Sequence, residues 1–154
     1  MEINFSKYNG AGNDFILIDD RDKYINDNKL LISYLCDRHF GVGADGLIIL
    51  KESNNCDFEI HHYTSDGNLG SLCGNGSRCA VLFAYNIDII GRKTVFNAFD
   101  GIHSAEILDN GLIKMEMKVN SDIVSNSYGT FINTGSPHLV MEKNDTDKLD
   151  VNNE

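Results

Sequence analysis

The sequence predicts an α+β fold in which a strongly curved, mostly antiparallel sheet wraps around one central, buried helix. Short apolar or alternating segments, separated by turn residues such as glycine and asparagine, recur along the chain and are typical of strands. Residues 77–87 are apolar on most faces of a helix, and a helix of that kind is a buried one. The sequence lacks the regular strand–helix alternation of a doubly wound fold.

The first half of the chain predicts four strands and one helix. The strands correspond to apolar or alternating stretches around residues 3–5, 15–19, 47–50 and 57–63. Turn residues at 9–14 separate the first two strands. A helix is predicted over residues 28–38, because apolar side chains there recur at helical spacing. Those side chains are Leu30, Leu31, Tyr34 and Leu35.

The second half of the chain predicts the central helix and further strands. The helix is placed near residues 76–87, and strands follow within residues 94–119. Residues 109–111, Asp-Asn-Gly, have the composition of a hairpin turn. Another strand pair is predicted within residues 129–141, and the polar stretch 142–154 has no packing pattern.

Composition excludes several classes of protein. The 154 residues carry a formal charge of -10, so we do not expect a nonspecific binder of nucleic-acid phosphates. No run approaches the roughly 20 apolar residues of a membrane span, and no signal peptide is recognisable at the N-terminus. The expected compartment is the cytoplasm, where the four cysteines stay reduced. No CxxC pair is found, so no metal site is predicted. The glycine-rich segments do not match the nucleotide-binding motifs, so nucleotide binding is not expected.

The segment around Cys73 has the composition of a chemical site. Cys73 stands directly before Gly74-Asn75-Gly76 at the start of the predicted central helix. Free N–H groups at a helix start carry partial positive charge, which favours a thiolate and also binds a carboxylate. The segment therefore supplies a candidate nucleophile or base together with a candidate anion site.

The other cysteines and most histidines are interpreted as structural. Cys36 and Cys79 fall among apolar neighbours and are expected in the core, whereas Cys56 lies in a turn and is expected at the surface or an edge. His138 follows Pro137 in a predicted rigid turn, and both a structural and a functional role stay open for it. The histidines expected to be structural are His39, His61, His62 and His103.

Five segments of the chain resemble, in the same order, motifs of the diaminopimelate epimerase family. They are KYNGAGNDF at 7–15, LCDRHFGVGADG at 35–46, YTSDG at 63–67, CGNGSRC at 73–79 and GSPH at 135–138. The resemblance implies a cofactor-independent isomerase of lysine and cell-wall precursor synthesis, without pyridoxal phosphate, that interconverts LL- and meso-diaminopimelate. Two cysteines on opposite sides of the α-carbon then act as acid and base. A homodimer is the expected assembly of the full-length enzyme.

The resemblance also assigns roles to residues of this chain. Cys73 corresponds to one of the two acid/base thiols, and Gly74 and Asn75 to the groups that hold the α-carboxylate. Asn13 is expected to bind the substrate, and His138 to support the catalytic pair. Two further expected substrate contacts stand where many members have asparagine, namely Thr64 and Ser136. Gly46 stands where some members have glutamine and cannot supply a side-chain contact.

The resemblance implies two similar domains with the site between them. Residues 1–118 correspond to the first domain and residues 119–154 to the opening strands of a second, incomplete one. The second cysteine motif, similar to Ala-Cys-Gly-Thr-Gly, does not occur in this chain. We therefore expect a truncated half that is inactive alone. Two alternatives stay open: a related isomerase similar to proline racemase, and a noncatalytic binding or interaction fragment.

Overall fold

A computed structural model describes residues 2–23, 25, 28–119 and 122–146. The chain divides into two compact units, Met1–Met117 and Lys118–Glu154, which are considered separately below.

The described part of the first unit forms one seven-stranded sheet and two helices. The elements are β1 (Ser6–Gly10), β2 (Asn13–Asp19), α1 (Lys29–Cys36), β3 (Gly46–Lys51), β4 (Phe58–Thr64), α2 (Gly74–Asn86), β5 (Lys93–Ala98), β6 (Gly101–Ile107) and β7 (Ile113–Met115). The strands lie side by side in chain order. The pairs β2–β3 and β4–β5 are parallel and the other four are antiparallel, so the predicted α+β fold with a mostly antiparallel sheet is confirmed.

Helix α2 occupies the centre of this unit. Both edge strands, β1 and β7, contact it, so the sheet curls around the helix. Its side chains at Ala80, Val81 and Ala84 are fully buried. The central helix is therefore confirmed, although it begins at Gly74 rather than near residue 76. The buried side chains of this helix and of the inner face of the sheet together form the larger of the two hydrophobic clusters.

Strands β2 and β3 are covered on both faces. Phe15, Leu17 and Ile48 belong to the inner cluster around α2, whereas Ile16 and Leu47 belong to an outer cluster with α1. Strands buried on both sides have continuous apolar sequences rather than alternating ones. This explains why residues 15–18 and 47–50 are uninterrupted apolar runs.

The first hairpin differs from its prediction. The strand expected around residues 3–5 lies instead at β1, and the turn expected over 9–14 contracts to Ala11 and Gly12. Both turn residues have positive φ, 52° and 94°, as tight hairpin turns require. The short turn brings Asn13 into the sheet, opposite Gly10.

Helix α1 is shorter than predicted and buries a different face. Asn28 caps it by accepting a hydrogen bond from the Leu31 N–H, and the helix ends at Cys36. The predicted helix is confirmed, but of the apolar side chains that predicted it Leu30 is 83% exposed and Tyr34 58% exposed. Ile32 and Cys36 are buried against the outer face of β2 and β3 instead. Both stripes have helical spacing, and only the packing distinguishes them.

The second unit contains a small antiparallel sheet in its described part. Its strands are β8 (Val124–Asn126), β9 (Gly129–Asn133) and β10 (Pro137–Val140), in the spatial order β10-β9-β8. The strand pair expected within residues 129–141 is confirmed. His138 was expected in a turn, but it lies in β10, paired with Ile132. The turn itself ends at Ser136, where the chain re-enters the sheet.

Several local predictions are also confirmed. The hairpin at residues 109–111 joins β6 to β7, and Gly111 there has a φ of 80°. Cys36 and Cys79 are buried, and Cys56 is half-buried in a bend.

None of the helices in the described residues has the length and apolar character to cross a bilayer. The polar stretch 142–154 is described only as far as residue 146.

Candidate active site

The start of α2 places a cysteine beside backbone amides. Cys73 is the N-cap residue, with an extended backbone (φ −113°, ψ 108°), and its Sγ accepts a hydrogen bond from the Gly76 N–H at 3.4 Å. The first amides of a helix have no acceptor within it, so those of Gly74 and Asn75 can bind an anion. Cys73 is half-buried, whereas Cys36 and Cys79 are buried. The thiol is therefore the accessible one next to an anion-binding helix start.

Two glycines set the position of this helix start against the sheet. A β-carbon at Gly76 would lie 2.9 Å from Cδ1 of Ile48, so the helix packs closely on the side chains of β3 and a larger residue would displace Ile48. A β-carbon at Gly10 would lie 3.0 Å from both the Asn75 carbonyl oxygen and the Cys79 Sγ. The end of β1 therefore packs directly on the first turn of α2, which brings the neighbouring β1–β2 turn to the site.

Asparagine side chains connect that turn to the helix start. The Asn75 side-chain N–H donates to Oδ1 of Asn13 at 2.7 Å, and the Arg78 guanidinium donates to Oδ1 of Asn75. The Asn13 side-chain N–H donates in turn to Oδ2 of Asp45 at 3.4 Å. The structure thus brings together Cys73 and three of the predicted binding residues: Asn13, Gly74 and Asn75.

Asn13 also adjoins a charge network, which consists of two carboxylates, one guanidinium and one ammonium group. The Arg38 guanidinium bridges two carboxylates, with Nη2 at 2.7 Å from both Asp14 Oδ1 and Asp45 Oδ1. The Lys7 ammonium lies 2.8 Å from Asp14 Oδ2. Hydrogen bonds from Arg38 first, and from Lys7 second, hold the pKa of Asp14 well below its ordinary range. Hydrogen bonds to Asp14 and Asp45 raise the pKa of the Arg38 guanidinium.

No role was predicted for these charged residues. The segments quoted for the family resemblance contain all of them, namely Lys7, Asp14, Arg38, Asp45 and Arg78. One feature of the sequence could have identified them. Charged residues recur inside the glycine-rich segments 7–15 and 35–46, and this combination could have been interpreted as a charge network. Which charge meets which carboxylate depends on contacts across up to 24 positions, and local patterns do not contain that information.

Replacing Asp14 with asparagine is expected to lower the melting temperature by about 2–4 °C near neutral pH, because Arg38 and Lys7 lose a charged partner. The pKa of Asp14 is lowered in the folded state, so its contribution is complete above the pKa of an unfolded aspartate, about 4. It is lost as the pH falls through the lower folded-state pKa. The difference between wild type and variant should therefore stay constant from about pH 7 to 5 and shrink only in stronger acid.

Thermal unfolding followed by circular dichroism over this pH range measures the difference. Asp109→Asn is the matched control, since Asp109 pairs with Arg92 at 2.6 Å but is fully exposed, and no change in melting temperature is expected for it. A difference for Asp14→Asn that disappears by pH 5, or that increases on acidification, would contradict the assignment.

Thr64 and Gly46 lie at the neighbouring strand ends. Thr64 ends β4, pairs with Gly46, and directs its hydroxyl to Oδ1 of Asp66 at 2.5 Å. That hydrogen bond is the main cause of a lowered Asp66 pKa. A β-carbon at Gly46 would lie 2.6 Å from the Tyr63 carbonyl oxygen, so the strand pairing leaves no room for a side chain there. The expected contact of Thr64 with substrate stays a prediction.

Ser136 and His138 belong to the second unit. Ser136 precedes β10, and its carbonyl oxygen accepts a hydrogen bond from the Thr134 N–H at 3.1 Å. His138 is exposed on β10. Their expected roles, one in substrate binding and the other in supporting the catalytic pair, stay predictions.

The two buried cysteines are poorly suited to acid–base chemistry. Burial raises the pKa of the Cys36 thiol to about 11 and also raises the pKa of Cys79. Two histidines are likewise held inside the fold. Burial lowers the pKa of His62, whose Nδ1 lies 3.1 Å from the Ser71 carbonyl oxygen. His103 is buried and its Nε2 lies 2.8 Å from Asp100 Oδ1.

Two other features of the described residues were compared with the helix start: a surface groove, whose lining does not include Cys73, and possible metal ligands. A shallow groove of about 670 Å³ runs over the outer face of β5 to β7, where Lys93, Glu106 and Lys114 line it. Within residues 2–23, 25, 28–119 and 122–146, no three His, Cys, Asp or Glu side chains are grouped to hold a metal ion. The helix start is therefore the place where the predicted reactive group and anion-binding groups meet.

Comparison with known proteins identifies the family. The family model described as diaminopimelate epimerase matches residues 5–122, which include Cys73 and the hydrogen-bonded residues around it. This chain belongs to the diaminopimelate epimerase family. It is 47% identical to the diaminopimelate epimerase of Flavobacterium psychrophilum, over 96% of this chain and 58% of that protein. It is 38% identical to that of Aquifex aeolicus, over 97% of this chain and 60% of that protein. The chain thus spans about three fifths of the length of these diaminopimelate epimerases.

Solved structures share the diaminopimelate epimerase-like fold. A PhzF-family phenazine biosynthesis protein from Bacillus anthracis matches with a TM-score of 0.61 and 18% identity, over 77% of this chain and 42% of that one. A probable proline racemase from Agrobacterium radiobacter matches with a TM-score of 0.55 and 13% identity, over 85% of this chain and 48% of that one. These similarities confirm the predicted fold class.

Proposed function

We propose that this chain supplies one half of the active site of a diaminopimelate epimerase, in which Cys73 exchanges the α-proton of the substrate. The observation that carries the proposal is the position of Cys73 at the start of α2, half-buried and next to the amides of Gly74 and Asn75. Family membership supports the same reaction class. The substrate is inferred from the name of the relatives and is here a proposal.

In the proposed mechanism the Cys73 thiolate removes the α-proton. An S–H bond forms, the C–H bond breaks, and its electron pair is delocalised from the α-carbon into the α-carboxylate. The amides of Gly74 and Asn75 bind that carboxylate and stabilise the charge that develops on it. A thiol on the opposite face then donates its proton to the α-carbon, which inverts the configuration. No cofactor is required for this sequence of proton transfers.

This chain matches 58% of the length of the Flavobacterium psychrophilum enzyme. The proton donor on the opposite face is proposed to come from the region of such relatives that this chain does not match. We call the two regions together the complete enzyme. The chain alone is then expected to bind substrate weakly and to lack turnover. Asn13, Thr64 and Ser136 are proposed to bind the substrate, and His138 to support the second acid/base group.

Incubation of the complete enzyme with LL-diaminopimelate in D₂O, without pyridoxal phosphate, tests the proposal. We expect meso-diaminopimelate to form and deuterium to enter the α-position of the product, because the donated proton comes from a group that exchanges with solvent. Chiral chromatography and mass spectrometry measure both quantities. Proline, assayed in parallel, should neither exchange nor racemise.

Two outcomes would replace the proposal. Racemisation of proline without any action on diaminopimelate would favour a proline racemase-like isomerase, the alternative that shares the fold. Binding of diaminopimelate without exchange of its α-proton would favour a noncatalytic binding protein. Activity of the isolated chain at the rate of the complete enzyme would contradict the assignment of the second acid/base group.

A further inference from the structure

We propose that Asp45, held in place by Arg38, is a positioning residue that fixes the orientation of the Asn13 and Asn75 side-chain amides toward the substrate. The inference rests on the proposed function, since it assumes that these two asparagines bind substrate. It adds a determinant of substrate affinity outside the residues that contact the substrate. Its evidence is a continuous chain of hydrogen bonds with a defined direction.

The direction of this chain of hydrogen bonds is set at both ends. At one end the Arg78 guanidinium can only donate, so the atom of Asn75 that it contacts is an oxygen. At the other end the Asp45 carboxylate can only accept, so the atom of Asn13 that it contacts is a nitrogen. Between them the Asn75 Nδ2 donates to Asn13 Oδ1 at 2.7 Å. Neither amide can turn over without placing two donors or two acceptors against each other.

Asp45 itself is restrained on three sides. Its Oδ1 accepts from Arg38 Nη2 at 2.7 Å, and its Oδ2 accepts from the Asp14 N–H at 3.1 Å. Its own N–H donates to Asp14 Oδ1 at 3.1 Å. Arg38 binds both carboxylates at once, so the loop that carries Asp45 is tied to the start of β2, which carries Asn13 and Asp14.

The fixed orientation of the two amides leaves N–H donors that a ligand can use. Each side-chain NH₂ has two hydrogens, and the chain of hydrogen bonds uses one on Asn13 and one on Asn75. The second N–H of each amide stays available to donate to a carboxylate beside the amides of the helix start. A turned amide would present an oxygen lone pair instead, which repels a carboxylate. Asp45 therefore acts on substrate affinity through Asn13, without contacting the substrate.

The test is Asp45→Asn in the complete enzyme. Asparagine has the same shape but can donate as well as accept, so the acceptor-only group at one end is lost and only the contacts from Arg78 through Asn75 still orient Asn13. We expect the KM for diaminopimelate to rise about tenfold, the effect of losing one well-placed hydrogen bond to a charged group, while kcat changes less than about threefold. Asp45→Glu, which keeps an acceptor-only group, should recover most of the affinity and also serves if the asparagine variant folds poorly.

Lys7→Met is the matched control. Lys7 belongs to the same charge network, but its ammonium contacts Asp14 and the Gly43 carbonyl oxygen rather than the Asp45 side chain. Both substitutions remove a partly exposed charge, so both are expected to lower the melting temperature, whereas only Asp45→Asn should raise KM. Equal KM increases in the two variants would mean that the network is merely structural, and an unchanged KM in Asp45→Asn would overturn the inference.

Failure of the inference can be told apart from failure of the proposed function. An unchanged KM in Asp45→Asn, in an enzyme that epimerises diaminopimelate, rejects only the positioning role. An enzyme inert toward diaminopimelate rejects the function. The orientation is then still tested by NMR of the side-chain amides, where Asp45→Asn should shift the Asn13 and Asn75 signals and Lys7→Met should not. Unshifted signals in Asp45→Asn would reject the chain of hydrogen bonds itself.

Discussion

Replacing Cys73 with serine in the complete enzyme is expected to lower kcat for diaminopimelate epimerisation by about 10³-fold and to leave the fold intact. A serine hydroxyl is a far weaker acid than a thiol, so it supplies almost no base at neutral pH. The N-cap role survives, because the serine oxygen also accepts the Gly76 N–H that Cys73 Sγ accepts. Loss of turnover should therefore occur without a loss of stability.

Turnover, α-proton exchange in D₂O and melting temperature together measure this effect. Cys56→Ser is the matched control, since Cys56 is also a half-buried free thiol but lies in a bend away from α2. It should retain both kcat and melting temperature. If Cys73→Ser exchanges the α-protons of both substrate isomers at wild-type rates, Cys73 is not an acid/base group of the reaction.

The sequence was sufficient to predict the part of the site that depends on local structure. Cys73-Gly74-Asn75-Gly76 at the start of an apolar stretch is a local pattern, and Cys73 is the N-cap residue of the helix that begins at Gly74. The burial of Cys36 and Cys79 follows from their apolar neighbours in the same way. These predictions require only the few residues on either side.

The rest depended on contacts between distant segments. The spacing of apolar residues predicted helix α1 but not its buried face, because Leu30 and Tyr34 have the same helical spacing as Ile32 and Cys36, and only the sheet beneath selects one stripe. The position of Arg38 follows from the early end of α1 at Cys36, which frees the next residues to turn toward the site.

The charge network illustrates the same limit more strongly. Arg38 meets Asp14 across 24 positions and Asp45 across seven, and the two carboxylates approach only because β2 and β3 are parallel neighbours. A sequence pattern identifies the residues as charged but does not pair them. The chain of hydrogen bonds through Asn13 to Asn75 spans 62 positions, so its direction becomes visible only in the folded structure.

Removing the side chain of Phe96 is expected to cause the largest loss of stability, about 3–5 kcal/mol for Phe96→Ala. Phe96 is fully buried on the inner face of the sheet, stacked 5.4 Å from Phe58 and 5.7 Å from His103. It belongs to the same core cluster as the buried side chains of α2. Alanine leaves a cavity under the helix that the closely packed strands cannot fill, and so both lost burial and lost contacts contribute.

Urea unfolding of the two variants Phe96→Ala and Phe99→Ala decides whether this core determines stability. Phe99 lies three residues later and is 68% exposed, so its replacement should change the free energy of unfolding by less than about 0.5 kcal/mol. Each value is taken from the transition midpoint at a common m-value. Similar losses for the two phenylalanines would contradict the packing described for β5. A large loss for Phe96→Ala alone would mean that the core cluster shared by β5 and α2 determines the stability of the fold.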